Sequence, residues 1–175
     1  KVYPNEKNIP YAHYLLGMVY YEKIVDEKKD LKPLIQAEEK FKFIENNYPN
    51  TDFALDASYK LDLIQDYLAS KEMYIGIHYI KKNKWIAAIN RFKKVVDNYE
   101  ETSFIDEALH RLVELHYKLG LIEESQKYAS LLGYNYKSSE WYTKSYKIFN
   151  QNYKSKLEIK KEKEGIFRKF KKLLY

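Results

Sequence analysis

Small, aromatic and aliphatic residues recur along this chain at helical spacing, and one arrangement occurs twice. Gly76 precedes Tyr79 by three positions and Ala88 by twelve, and Phe92 and Val95 come four and seven after Ala88. Gly17 and Tyr20 repeat the first gap, and Ala37, Phe41 and Ile44 repeat the later ones, ending in Tyr48-Pro49. A small residue facing an aromatic one lets two antiparallel helices pack closely, and a pattern with period 3.6 rather than 2 predicts helices throughout.

This spacing is the frame of a tetratricopeptide repeat, in which helix pairs stack and present grooves to partners. The chain therefore reads as an all-α tetratricopeptide-repeat solenoid of about three helix pairs plus a C-terminal capping helix and a basic tail helix. The pairs fall at about 10–49, 51–100 and 102–133, the capping helix at 138–150, and these form a domain over 1–150. The gap from Gly17 to Ala37 is twenty rather than twelve, so an eight-residue insertion containing Asp26-Glu27-Lys28-Lys29-Asp30 lengthens the first inter-helix loop. Pro49 ends the first pair and Thr51 caps the next helix. Between Phe53 and Lys82 the only Gly or Pro is Gly76, and Ala54, Ala57, Leu61, Ile64 and Leu68 recur at three and four. One long helix, bent near Ala69-Ser70, is predicted to finish one layer and open the next. Ser103 and Asp106 match a capping box for the third pair. Setting Gly120 at its turn aligns Leu112, Val113 and His116 with the first-helix packing positions and Ser125, Ala129 and Leu132 with the second. Trp141, Tyr142, Ser145, Tyr146 and Phe149 supply the capping helix.

The formal charge of +6 suggests nucleic acid until it is divided along the chain. Residues 1–150 hold 22 Lys+Arg and 22 Asp+Glu, while residues 151–175 hold nine and three, so the whole excess lies in the tail. A phosphate-binding protein spreads its basic residues over the docking face, and the neutral body excludes nucleic acid as its partner. Absence of Cys removes disulfides, thiolate metal sites and thiol nucleophiles. No apolar run approaches the roughly 20 residues that span a bilayer. The start at Lys1, without a charged and apolar leader, reads as a mature or truncated fragment.

Tyr48-Pro49-Asn50 with Ala57 and Lys60-Leu61, then Tyr74, Gly76, Tyr79, Trp85, Ala87, Asn90-Arg91, Tyr99, Thr102, Glu107-Ala108-Leu109 and Tyr117, support more than a generic repeat. Over roughly residues 9–150 the chain resembles the C-terminal half of the BamD family of outer-membrane assembly lipoproteins. The run from Trp85 to Leu109 is the specific part, because the repeat consensus does not demand Trp-x-Ala-Ala-x-Asn-Arg. The resemblance implies a five-repeat lipoprotein, tethered through an acylated N-terminal Cys on the periplasmic face of the outer membrane. It implies docking to the POTRA domains of the barrel-forming insertase, to support folding and insertion of outer-membrane proteins, with other assembly lipoproteins and unfolded outer-membrane proteins as further partners. This chain would hold repeats three to five, where the family makes its insertase contact. The lipidated Cys and the first two repeats lie outside the sequence, and the basic tail after Asn150 is no part of the family pattern.

Candidate contact residues come from the repeat offsets. Concave-surface positions are Tyr14, Met18, Tyr21 and Glu22, then Met73, Ile77, Ile80 and Lys81, then His110, Glu114, Tyr117 and Lys118. Mixed aromatic, Met and charged residues suit a protein partner; the plainer reading is that each packs on a neighbouring helix. The long helix offers a second surface through Lys60, Tyr67, Lys71 and Tyr74. By resemblance the insertase docks near it, with Lys60 the position carried over, whereas lysine on a helix ordinarily marks a solvated face. The richness in tyrosine goes with the Lys, Ile and Asn bias of the composition, and Trp85 reads as a packing residue. In the tail, Ile166, Phe167, Arg168, Phe170 and Lys171 form a basic amphipathic stretch suited to an anionic membrane surface, a partner helix or a solvated extension.

No enzyme is expected and no cofactor. His13, His78, His110 and His116 form neither His-x-x-x-His nor His-Glu-x-x-His. Adjacent acids such as Glu38-Glu39 diverge by about 100° on a helix, and no Gly-rich phosphate loop or Gly-x-Ser-x-Gly occurs. A scaffold of the barrel-assembly machinery leads; a tetratricopeptide adaptor capturing a peptide or cell-envelope protein in its concave groove is the alternative, sensitive to Tyr21, Ile77 and Tyr117. A third reading is an accessory domain of an enzyme whose site lies elsewhere in a longer chain.

Overall fold

The computed structural model describes residues 8–23, 31–151 and 164, and among them the regular structure is helical. The helices are α1 (Ile9–Tyr21), α2 (Lys32–Asn47), α3 (Asp52–Lys81), α4 (Trp85–Asn98), α5 (Ile105–Lys118), α6 (Ile122–Asn135) and α7 (Glu140–Phe149). Their boundaries obey local chemistry. Pro10 and Pro33 occupy the first turns of α1 and α2, where a missing N–H costs nothing. The Thr51 hydroxyl accepts from the Ala54 N–H at 3.2 Å and donates to the Tyr48 carbonyl at 2.8 Å, joining the end of α2 to the start of α3. Ser139 caps α7 by accepting from the Trp141 N–H at 3.1 Å.

The chain divides into two compact units, residues 1–105 and 106–175. In the first, α1 packs on α2 and α2 on the N-terminal half of α3, burying Leu34, Ala37, Phe41, Ile44, Ala54, Ala57, Leu61 and Ile64. The C-terminal half of α3 packs on α4 over Ala69, Met73, Ala88, Ile89, Phe92 and Val95. The 30-residue α3 is one continuous helix, serving both layers through buried residues that run from Ala54 to Gly76. In the second unit α5 contributes Ala108, Leu109, Leu112, Val113 and Leu115, and α6 contributes Ala129 and Leu132.

The twice-repeated spacing has a direct steric basis. A Cβ placed on Gly17 would lie 2.6 Å from the Phe41 ring, and one on Gly76 would lie 2.6 Å from the Phe92 ring. Each phenylalanine is fully buried against the backbone of the opposite helix. Sixteen positions separate Gly76 from Phe92 and Val113 from Ala129, and in the second unit the larger residue at that spacing is Val113 on α5 and the smaller is Ala129 on α6, both buried. Beside it, Ser125 stands where Ala88 stands in the pair before, and its buried hydroxyl donates to the Val113 carbonyl at 2.9 Å.

The turns of the two pairs are also in register. Asn83 and Gly120 hold positive φ, 55° and 77°. The next N–H closes the helix end in each case, Lys84 onto the Tyr79 carbonyl and Leu121 onto the His116 carbonyl, both at 2.9 Å. This is a Schellman closure, which requires a left-handed residue and so favours Gly or Asn.

One expectation fails. Ser103 does not form a capping box with Asp106: its N–H donates to Asp66 at 3.0 Å, and its hydroxyl lies 3.4 Å from the same oxygen. Asp106 instead accepts from the Glu107 N–H and from the Ser139 hydroxyl at 2.6 Å. Tertiary partners on α3 and at the start of α7 outcompete the local pairing that the spacing suggested.

If the ring-on-glycine contact sets the α3–α4 distance, Gly76→Val should destabilise by roughly 2–3 kcal/mol through overpacking and Phe92→Ala by about 3–5 kcal/mol through a cavity. The double variant should cost clearly less than the sum, because it installs the size order seen at Val113 and Ala129. Urea unfolding of the four proteins measures this, and strict additivity would refute it.

Candidate functional site

The long-helix surface is built by the turn-by-turn register of α3. Lys60 is half-buried, its Nζ 5.2 Å from the centre of the Tyr21 ring. Tyr21 is itself set edge-on to the buried Phe41 at 6.3 Å, so core, aromatic and lysine form one stack from inside to outside. Tyr67 packs against the core cluster, Lys71 is half-buried, and Tyr74 is 45% exposed. Lys60 is thus held by an aromatic face rather than left as a free solvated cation, an arrangement worth roughly 0.5–1 kcal/mol at a partly exposed position. Tyr14 reinforces the same region by donating to Asp56 at 2.5 Å, and that bond, with burial adding to it, pushes the phenol up to about 12.

Further along α3, Glu72 is buried and receives Arg91 at 3.0 Å and Lys94 at 2.6 Å, both from α4. The hydrogen bond to Glu72 raises the Arg91 guanidinium above its ordinary value. Sequence reasoning missed Glu72, which in the linear text is one acid among many. Its recognisable signal is position: it falls between Ala69 and Met73 on the inward side of α3.

The concave-surface candidates divide by burial. Ile77 is half-buried and Lys81 and Lys118 are exposed; Tyr117 is 42% exposed and edge-on to Phe149 at 5.5 Å. Met73 and His110, expected at the surface, are 3% and 4% exposed and belong to the interior. His110 Nδ1 meets the buried Ser145 hydroxyl at 2.8 Å, its ring packs on Trp141 at 5.0 Å, and its Nε2 lies 3.5 Å from Glu114. His110 is therefore part of an internal clamp that docks α7 on α5. Arg111 extends that clamp, bonding Glu107 and Glu114 at 3.0 and 2.8 Å and lying 5.2 Å from the Trp141 ring, while Lys144 covers the same ring at 3.7 Å.

Burial alone would raise Glu114, but the hydrogen bonds and charges of His110 and Arg111 overcome it and hold the carboxyl at about 2, against an ordinary value of 4.5. His116, in the register of Tyr79, donates through Nδ1 to the Leu112 carbonyl at 2.7 Å and stacks near Tyr128. Among the described residues no three His, Cys, Asp or Glu side chains converge to hold a metal ion. The tail candidates Ile166, Phe167, Arg168, Phe170 and Lys171 lie outside the described residues.

Two-helix layers in a common register, closed by left-handed turns and presenting edges of aromatic and basic residues, define a helical repeat protein of the tetratricopeptide type. A family profile described as "Outer membrane lipoprotein" (YfiO) matches residues 1–131. The chain belongs to this outer-membrane lipoprotein family. It is 44% identical over 154 residues to the outer membrane protein assembly factor BamD of Rickettsia prowazekii, covering 88% of this chain and 61% of the relative. Identity to the BamD of Caulobacter vibrioides is 41% over 151 residues, 86% of this chain and 50% of the relative. With the BamD of Neisseria gonorrhoeae it is 30% over 128 residues, 67% of this chain and 48% of the relative. The chain spans half to three-fifths of the length of these relatives. No described helix is long and apolar enough to cross a membrane.

Glu114 yields a pH prediction. Its carboxyl is lowered on folding, so its stabilisation is fully present above about pH 4.5 and is lost as pH falls toward 2. Thermal unfolding between pH 5 and 2 should show Glu114→Gln losing less stability on acidification than the parent. The difference should shrink in high salt, since the side chain is 41% exposed. Parallel acid limbs would contradict the assignment.

Proposed function

We propose that this chain is a non-catalytic scaffold in the assembly of outer-membrane β-barrel proteins, acting at the periplasmic face of that membrane as part of a lipid-anchored protein. The observation that carries this reading is the 41–44% identity to proteins named as outer membrane protein assembly factors, sustained over 86–88% of the chain. We further infer that the scaffold binds the POTRA region of the barrel insertase through the α3 edge of Lys60, Tyr67, Lys71 and Tyr74. Lys60 anchored over Tyr21 places a cation at a defined point, and a charge already ordered loses less entropy when a partner carboxylate arrives. Ile77, Lys81, Glu114, Tyr117 and Lys118 are further contacts, and the basic tail is a separate candidate for membrane or partner contact.

Calorimetric titration of the chain against the isolated POTRA region of its own insertase tests this, with and without residues 151–175. Saturable micromolar binding that survives loss of the tail is expected. Lys60→Glu should weaken it about tenfold or more, and Tyr74→Ala by several-fold, with helicity unchanged. Equal affinity in both variants would remove the α3 edge from the account, and absence of binding by the parent would mean either that docking requires repeats beyond those present here or that the chain has an adaptor role.

A further inference from the structure

We propose that the face of α3 beside the Lys60 edge is a docking surface for a basic amphipathic segment of another protein. Leu55, Tyr59 and Leu63 recur at a spacing of four and are 61%, 62% and 52% exposed. They form a ridge of three large apolar side chains on the side of α3 opposite the buried Ala54, Ala57, Leu61 and Ile64. Scattered apolar residues on a surface need no explanation, whereas an aligned row with a polar rim marks an interaction site.

The rim beside this ridge is acidic. Asp62 and Asp66 come three positions after Tyr59 and Leu63, and so lie along the same flank of the helix. Both border a cleft of about 470 Å³ whose other wall is Glu101, Thr102 and Ser103 from the segment between α4 and α5. The Ser103 N–H bond to Asp66 ties that wall to α3. Among the described residues no cation pairs with Asp62 or Glu101. The first half of α3, residues 52–66, carries four aspartates and one lysine, although residues 1–150 as a whole are neutral. An apolar ridge with carboxylates along one side is complementary to a helix or strand that sets apolar residues beside Lys or Arg. It disfavours anionic membrane surfaces and nucleic acid, whose phosphates the same carboxylates would repel.

The test uses the full 175-residue chain and a labelled 18-residue peptide of leucine and lysine at helical spacing, with a leucine–glutamate peptide as counterpart. Fluorescence anisotropy should show saturable binding of the lysine peptide, falling at least tenfold in Asp62→Lys and in Tyr59→Ala and several-fold on raising the salt to 0.5 M. Both substitutions lie at exposed positions, and circular dichroism confirms that the fold is kept. Absence of saturable binding, equal binding of the glutamate peptide, or unchanged affinity in either variant would overturn the proposal. Neither substitution replaces Lys60 or Tyr74 and the probe is a different molecule, so failure here leaves the insertase reading standing, and loss of insertase binding leaves this surface standing.

Discussion

A phenylalanine ring lying on a helical glycine is the contact on which each helix pair of the first unit depends. The Phe41 ring on Gly17 and the Phe92 ring on Gly76 lie so close to the glycine backbone that no Cβ fits there. Helical glycine costs roughly 1 kcal/mol relative to alanine, and a fully buried phenylalanine returns more than that through burial and dispersion. At the corresponding positions of the second unit, Val113 and Ala129 are both buried, with the larger residue on the first helix of the pair. Where ring and glycine meet, crossing distance and register are fixed, and the side chains at neighbouring positions face predictable directions.

From that register the surfaces emerge. Because α3 serves as partner to α2 in its first half and α4 in its second, one helix carries side chains from both layers. The buried Glu72, gripped by Arg91 and Lys94, adds a polar lock to the apolar one. A buried carboxylate deprived of its cations would be strongly unfavourable, so slipping α4 along α3 is penalised beyond the loss of packing. The stacking of Phe41, Tyr21 and Lys60 then transmits core geometry to an external charge. In the second unit, α7 is held by a different device, a tryptophan between His110, Arg111 and Lys144.

Much of this was legible in the sequence, and the reasons differ by element. Glycine and phenylalanine at fixed separation are informative because so few residue pairs allow that approach, and Gly120 marked its turn because few other residues adopt positive φ. The lack of any Pro, and of any Gly but Gly76, between Phe53 and Lys82 gave α3 its length. Three things were not legible. Ser103 and Asp106 had capping-box spacing, but each found a partner more than thirty positions away, which no local pattern encodes. Glu72 reads as a surface acid until its cations are known. His110 sits at a groove offset in the repeat frame, and only the arrival of α7 encloses it. Helical periodicity reports which residues share a face and is silent on what covers that face.

The chain thus has a frame of packed helix pairs, with its buried polar side chains spent on fixing one helix against the next. At its centre, the ring-on-glycine contact governs its own layer of the first unit, and amide hydrogen exchange on Gly76→Val, compared with the parent chain, tests this most directly. Exchange should accelerate through the second half of α3 and through α4, while the amides of α2 around Phe41 keep their protection. Equal acceleration in α2 and α4, or none in either, would contradict the account.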